Sequence, residues 1–467
     1  MPEQQATESG RPAAAGMTID RDRLADLIQR ERAAYAERHP RSRQAFAAAG
    51  ANLLGGVPMT WMRMWPGGFP LYLASASGAR LTDIDGNGFT DFCLGDTGAM
   101  AGHSPAAVQA AVARQYGELG GATTMLPTLD AAWVAGELAR RFGPTHWSFT
   151  LTATDANRWA IRLARQLAGR PKILVFSYCY HGSVDETFIV AGPDGPQSRA
   201  GNVGAPVDPR QTTRVVEFND LASLERELAA GDVAVVLMEP ALTNVGIVLP
   251  EPGYLDAVRE LTRRSGTLLI NDETHTFSAG PGGCTRAWNL DPDIVTIGKS
   301  IAGGIPAGAF GLSAGLADRI LRDETADIID TGGVGGTLAG NALSVAAMRA
   351  TLEQVLTDAA FARMVALADR YNAGVRGVID NRALPWSIVQ LGARAEYRFC
   401  PLPPRTGGES EAAADPELDE YLHLYTVNRG VLLTPFHNMA LMSPATTEAD
   451  VDAHTDVFAQ AASELLR

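Results

Sequence analysis

Five short apolar runs in the middle of the chain restrict its fold more than any other feature. They are Ile173–Phe176, Val233–Met238, Thr267–Ile270, Ile294–Ile297 and Ala309–Leu312, and helical segments flank them. Runs this short, rich in β-branched residues and without polar alternation, are buried on both faces. That is the condition of strands inside a mostly parallel sheet covered by helices. From His103 onward the pattern alternates in this way, so residues 103–345 read as a large α/β domain. A chain of 467 residues also exceeds what one small core can serve, and two lobes are expected.

Outside that domain the signals are more local. Residues 1–20 are polar and rich in Ala, Gly and Gln, and read as a disordered leader. They lack the basic start and apolar run of a secretory signal. A helix is expected from Asp20 to Glu37. Strands are expected at Leu71–Leu73, Arg80–Asp83 and Phe89–Phe92, with Asp85-Gly86-Asn87-Gly88 as a hairpin turn. Ser104-Pro105 reads as an N-cap and first helical residue. Gly192–Gln211, rich in Gly and Pro, reads as a mobile loop. Helices dominate from Ala342, with a loop at Pro401–Glu411. A last helix is expected after Thr447-Glu448-Ala449-Asp450, where Asp stands for the usual Glu or Gln of a capping box.

Charge narrows the function. The net charge is −14, with no basic stripe, which argues against general nucleic-acid binding. Cys93, Cys179, Cys284 and Cys400 form no CxxC pair, and no Cys/His spacing suits zinc, so free thiols in a reducing compartment are expected and no metal. No apolar run approaches the roughly 20 residues of a membrane span. A cytoplasmic protein is the expectation.

Ligands of open α/β sheets sit beyond the carboxyl ends of the strands. Behind Ile173–Phe176 comes Tyr178-Cys179-Tyr180-His181-Gly182; behind Val233–Met238, Glu239-Pro240; behind Thr267–Ile270, Asn271-Asp272-Glu273; and behind Ile294–Ile297, Gly298-Lys299-Ser300. One edge thus carries an aromatic ring, carboxylates and a lysine. Any of these alone is an ordinary loop, cap or packing residue. A phosphate-binding P-loop at Gly298-Lys299-Ser300 would need Gly at position 293, which is Asp. A pyridoxal-phosphate (PLP) site needs this set: an amine to hold the cofactor, a carboxylate for the pyridine nitrogen, an aromatic ring to stack, and a helix N-terminus for the phosphate.

The chain resembles the class III aminotransferases of PLP fold-type I, over residues 50–460. The branch with glutamate-1-semialdehyde aminomutase and β-amino-acid aminotransferases is the most similar. The resemblance rests on Asp83-Ile84-Asp85-Gly86-Asn87, Gly102-His103, Tyr180-His181-Gly182, Glu239-Pro240, Asp272-Glu273, Gly298-Lys299 and Gly336-Thr337-Leu338-Ala339-Gly340-Asn341, in this order. It implies a small α+β domain made from both chain ends, residues 21–102 and 346–467. It implies that Lys299 holds PLP as a Schiff base and shuttles protons, and that Asp272 pairs with the pyridine nitrogen. Tyr180 would stack on the ring beside His181, and Glu239 would lie in the same site. Thr152, Ala153 and Thr154 would form the phosphate cup, and Asn244 would lie near the ring oxygen. Thr337 would reach the cofactor of a second subunit, which implies a homodimer.

Departures from the family pattern bear on the reaction. The phosphate cup usually reads Ser-Gly-Thr-Glu-Ala; here it is Thr152-Ala153-Thr154-Asp155-Ala156. Thr274 replaces the usual Val on the ring face, and its hydroxyl is free to bond a ring substituent. The aminomutases' Asn-Ser-Pro-Val-Arg is replaced by Pro58-Met59-Thr60-Trp61-Met62-Arg63, and their Glu near the C-terminal turn is absent from Leu433–Met439. These changes favour an aminotransferase working by a ping-pong cycle between a bulky or apolar amine or amino acid and a keto acid or ketone. An aminomutase, a PLP-dependent lyase and a non-catalytic binding module are the alternatives. Trp61 is a candidate pocket residue. Arg63 and Arg394, with Arg398 behind them, are candidates for a substrate carboxylate.

Overall fold

The computed structural model describes residues 19–322 and 336–466. Seven strands form its central sheet: β1 (His146–Thr150), β2 (Lys172–Phe176), β3 (Thr213–Val216), β4 (Val233–Met238), β5 (Leu268–Asp272), β6 (Ile294–Ile297) and β7 (Gly308–Leu312). Their order is β1-β7-β6-β5-β4-β2-β3. Only β7 runs antiparallel to its neighbours. All five apolar runs lie in this sheet, and all six residues of β4 are buried, as a strand covered on both faces must be. β1 and β3 escape sequence reading because polar residues interrupt them. β5 ends two residues later than expected, since Asn271 stays paired with Met238 and Asp272 with Thr296. Asp272 is therefore the last strand residue, not the first of a loop.

The helix Ala153–Ala168 packs its apolar stripe on the sheet, burying Ala156, Asn157, Ala160, Ile161 and Ala164. One apolar cluster fills this side with Val175, Val235 and Ile270. A second, with Val295, Ile297, Phe277 and Met348, joins the sheet to the helices of both chain ends.

The chain ends share a sheet. Leu73–Ser77, Arg80–Asp83 and Gly88–Asp91 pair antiparallel in sequence, and Val431–Leu432 adds in parallel to the third. Ser387–Leu391, Arg394–Arg398 and Met439–Leu441 make a separate antiparallel sheet. The helix expected over Asp20–Glu37 is Arg21–Arg38, and Asp20 caps it through its carboxylate. The capping box of Thr447 and Asp450 forms at the last helix.

Several local expectations are corrected. The strand foreseen at Leu71–Leu73 is Leu73–Ser77, set by its pairing with Arg80–Asp83 across Gly78; its mostly exposed residues give no alternation to read. Pro105, not Ser104, is the N-cap residue, and no side chain caps that helix. Within 192–211 the backbone forms a hairpin, Ile189–Gly192 with Gly195–Ser198, and a short 3-10 turn at Pro209–Gln211. Gly407–Ala412, inside the expected 401–411 loop, is a short helix capped by Thr406. Residues 1–18 of the expected leader lie outside the described residues. Among the described residues, no helix is long and apolar enough to cross a membrane.

Candidate active site

The carboxyl ends of β1, β2, β4, β5 and β6 open onto one cavity of about 520 Å³. Thr152, Tyr180, Glu239, Asp272 and Lys299 all line it. Each follows its strand, or ends it, so the sheet brings together groups far apart in sequence.

Asp272 forms the floor. Its carboxylate accepts from Asn157 Nδ2 at 2.8 Å, from His181 Nδ1 at 2.9 Å and from the Thr274 backbone N–H at 3.0 Å. Thr296 in turn donates its hydroxyl to Asn157 Oδ1, at 2.6 Å, which fixes the amide orientation. Burial works to raise the Asp272 carboxyl, but these donors, with His181 foremost, outweigh it and hold the group below the ordinary range. Burial opposes a charge on His181, while Cys179 and Asp272 favour it, with a net upward shift. Asp272 is thus the ionised member of the pair, with His181 Nδ1 facing its Oδ2. Burial pushes Glu239 up to about 7. Its Oε1 accepts from Thr243, and its Oε2 is buried without a partner.

The opposite end is a helix N-terminus. Thr152 is the N-cap residue of Ala153–Ala168, and its hydroxyl oxygen accepts from the Asp155 N–H at 3.2 Å. Thr154 Oγ1 accepts from the Ser183 N–H at 3.2 Å. The Thr152 hydroxyl also donates to Asp155 Oδ2 at 3.0 Å, whereas that of Thr154 keeps its hydrogen for an anion beside the unpaired first-turn N–H groups. The approach is close on both sides. A Cβ on Gly182 would lie 2.1 Å from Thr154 Oγ1, and one on Gly298 would lie 2.8 Å from Ala153 N.

Lys299 sits between these ends in a left-handed conformation, φ 51°, uncommon for a residue with a side chain. Its Nζ lies 2.8 Å from Asp96 Oδ2 and also contacts His275 Nε2. Asp96 comes from a loop in which Leu94, Gly95, Asp96 and Thr97 all have positive φ. Burial opposes its charge, but Lys299, His275 and His437 hold its carboxyl well below the ordinary range. Behind His275, Arg394 Nη1 is 3.2 Å from His275 Nδ1.

An outer chamber of about 560 Å³ shares Trp61, Tyr180 and His275 with the inner one. Trp61 packs edge-on to Tyr180, with ring centroids 5.3 Å apart, and against Phe436 at 5.5 Å. Asn244 and Arg398 line this outer space, so Asn244 is not among the groups lining the inner chamber, where it was expected. The other two candidate arginines line neither chamber of this chain. Arg63 is exposed and lies over Gly55, away from both chambers. Arg394 is fully buried behind His275 and lines neither chamber. Thr337 is exposed and does not line the chamber of its own chain.

Four residues of this site were not foreseen: Asn157, Thr296, Asp96 and His275. Asn157 carried a signal, as a polar residue on the apolar face of a helix otherwise buried through Ala156, Ala160 and Ile161. His275 follows Asp272 by three residues. Asp96 gave no local signal, because its approach depends on a left-handed loop without helical or strand periodicity.

The residues fit a planar pyridine bearing a phosphate. They provide an ionised carboxylate, a primary amine and an anion-binding helix end. They also provide a buried, unpartnered hydroxyl on Thr274 for a ring substituent. Fold and site together define a PLP-dependent enzyme of fold-type I. The chain belongs to the class III aminotransferase family, whose model, Aminotransferase class-III, matches residues 64–461. Its cofactor is pyridoxal 5'-phosphate. A glutamate-1-semialdehyde 2,1-aminomutase of Chloroflexus aggregans is 34% identical over 452 residues, covering 91% of this chain and 99% of that protein. The crystal structure of a glutamate-1-semialdehyde aminomutase from Pseudomonas aeruginosa PAO1 superposes with a TM-score of 0.93 at 49% identity, covering 96% of this chain and all of the other. A β-phenylalanine aminotransferase from Variovorax paradoxus superposes at 0.81 with 28% identity, covering 94% of this chain and 96% of that one.

Proposed function

We propose that the chain is an aminomutase, which uses PLP to move an amino group between neighbouring carbons of one small molecule. The observation that carries this reading is likeness over the whole length to proteins named as aminomutases, at 34% and 49% identity. It departs from the aminotransferase favoured by the substituted segments 58–63 and 433–439. Bound in the inner chamber, PLP supplies an electron sink for the carbon that loses its proton.

The chain's own groups do the rest. Lys299 Nζ would hold the cofactor and, once the substrate's amino group has taken its place there, would carry the proton between carbons. Asp272, kept ionised by His181, Asn157 and the Thr274 N–H, faces the pyridine nitrogen. The backbone at Thr152, Ala153 and Thr154 binds the phosphate, Tyr180 covers a ring face, and the Thr274 hydroxyl meets a ring substituent. A lysine-to-alanine variant of the Pseudomonas protein crystallised with PMP, which supports a cofactor pocket that persists without its lysine. Thr337 serves the cofactor of a second copy, in a homodimer.

A transferase is the second reading, favoured by the aromatic wall of Trp61, Tyr180 and Phe436. This wall uses both substituted segments and suits an apolar amine. Glutamate-1-semialdehyde, given alone to the PLP-loaded protein, separates the two. Isomerisation without any added keto acid is the expected result, followed by NMR. No isomerisation, with amine donors bleaching the visible absorbance of bound PLP and keto acids restoring it, overturns the mutase in favour of the transferase.

A further inference from the structure

The outer chamber holds a buried cation whose donors the fold leaves largely unmet. Arg398 ends the strand Arg394–Arg398, where residues two apart share a face, so Arg394, Glu396 and Arg398 stand in one row. The first two are engaged elsewhere. Arg394 faces His275, and Glu396 Oε1 lies 3.3 Å from His437 Nδ1. Arg398 is only 8% exposed and makes no ion pair among the described residues; its Nε is buried without a partner. Its one hydrogen bond there runs from Nη2 to the Ser410 carbonyl.

This cation has a built seat. Ser410 is itself tied down, its hydroxyl donating to the Val245 carbonyl. A Cβ on Gly246 would lie 2.8 Å from Arg398 Cδ, so the missing side chain makes room for the arginine stem. Held there, Arg398 lines the outer chamber. Arg199 lines it too, but is half-buried, donates Nη1 to the Cys179 carbonyl at 2.9 Å and lies over the Tyr178 ring. A guanidinium carries only donors, and leaving them unmet in a buried place costs free energy that an acceptor on a ligand would recover.

We infer that Arg398 is a specificity-determining residue, which takes the far carboxylate of a substrate whose amino group reacts at Lys299. The inference rests on the reading of the inner chamber as the place of that reaction. The chambers meet at Trp61, Tyr180 and His275, so the middle of the substrate passes the aromatic wall. Asp185, Glu411 and Asp419 line the outer chamber as well, with Asp419 accepting from Asn438 at 2.6 Å. These like charges weigh more heavily against a phosphate dianion than against a carboxylate, which also matches the planar fork of a guanidinium.

Matched amines test this. Full-length protein loaded with PLP is titrated with γ-aminobutyrate, ε-aminohexanoate and ω-aminooctanoate. Each is set beside the alkylamine of the same chain length and beside its own methyl ester, and binding is read from the visible absorbance of PLP. At the best length the free acid is expected to bind about tenfold or more tightly than the amine or the ester, as for a charged hydrogen bond. Arg398→Met, which keeps the bulk of the stem over Gly246, should bring that ratio to within about twofold. Arg398→Gln, which can still donate to the Ser410 carbonyl, should do the same and serves if the Met variant does not fold. Arg199→Met should leave most of the ratio. A merely structural Arg398 would weaken acid, amine and ester alike and leave the ratio standing. A free acid no better than its amine and ester at every length, or a preference that survives both Arg398 variants, would overturn the inference. If none of the compounds moves the absorbance, the reading of the inner chamber fails first and takes this inference with it.

Discussion

The inner and outer chambers meet at Trp61, Tyr180 and His275, yet they are built by different rules. The inner floor is a product of architecture. Thr152 opens a helix, Asp272 ends β5, and Glu239 and Lys299 follow β4 and β6 directly or by one residue. The outer wall is drawn from loops far apart in sequence, around Trp61, Arg199, Asn244 and Phe436. The inner groups therefore sit on strand and helix ends, and the outer wall sits on loops, the segments that a fold leaves free to change.

If that division is right, changes on the floor abolish chemistry, while changes in the wall redirect it. The largest effect is expected at Lys299. Lys299→Ala should lose the visible absorbance of covalently held PLP and on the order of a thousandfold or more in turnover, as for removal of a group that carries the proton. Absorbance and rate assays check both, and retained activity would break the comparison at its root. Asp272→Ala comes next, at roughly a hundredfold or more in kcat. It removes the carboxylate proposed to face the pyridine nitrogen and leaves three donors facing an empty space. Steady-state kinetics at saturating PLP separates lost chemistry from lost binding.

The same division explains what could be read from sequence. The apolar runs gave β2, β4, β5, β6 and β7 to within two residues, because strands buried on both faces leave no polar interruption. The floor residues followed from what comes after each run. Asp96 did not, since four successive residues with positive φ bring it to Lys299 and no periodicity encodes such a loop. Arg394 was legible as a cation but not as a buried one. It lies in a strand whose five residues are all buried, where a charged side chain breaks the usual pattern. Arg63 shows the opposite failure: its neighbours suggested a pocket, and its own side chain turns outward over Gly55.

A smaller effect sharpens the comparison at the boundary. Trp61→Ala should leave the spectrum of bound PLP unchanged while raising KM for the preferred substrate by about tenfold. It deletes the ring that packs on both Tyr180 and Phe436 and leaves the floor intact. Loss of PLP in this variant would mean that wall and floor are one unit.

The smallest effect tests whether the floor carries an acid as well as a carboxylate. Burial pushes Glu239 up to about 7 from 4.5, so the folded chain keeps a proton there that the unfolded chain has released. Between those pH values the folded state binds more protons, and stability falls as pH rises from about 4.5 to 7. At about 1.4 kcal/mol per unit the upper bound is on the order of 3 kcal/mol. Glu239→Gln keeps an acceptor for Thr243 and cannot ionise. Its melting temperature should match wild type near pH 4.5 and exceed it by one to a few degrees, roughly, at pH 7.5. Asp419, which burial pushes to about 6, titrates in the same window, so only the difference between variant and wild type reports on Glu239. Parallel melting curves across that window would mean that Glu239 stays ionised beside Asp272, and that His181 balances two carboxylates instead of one.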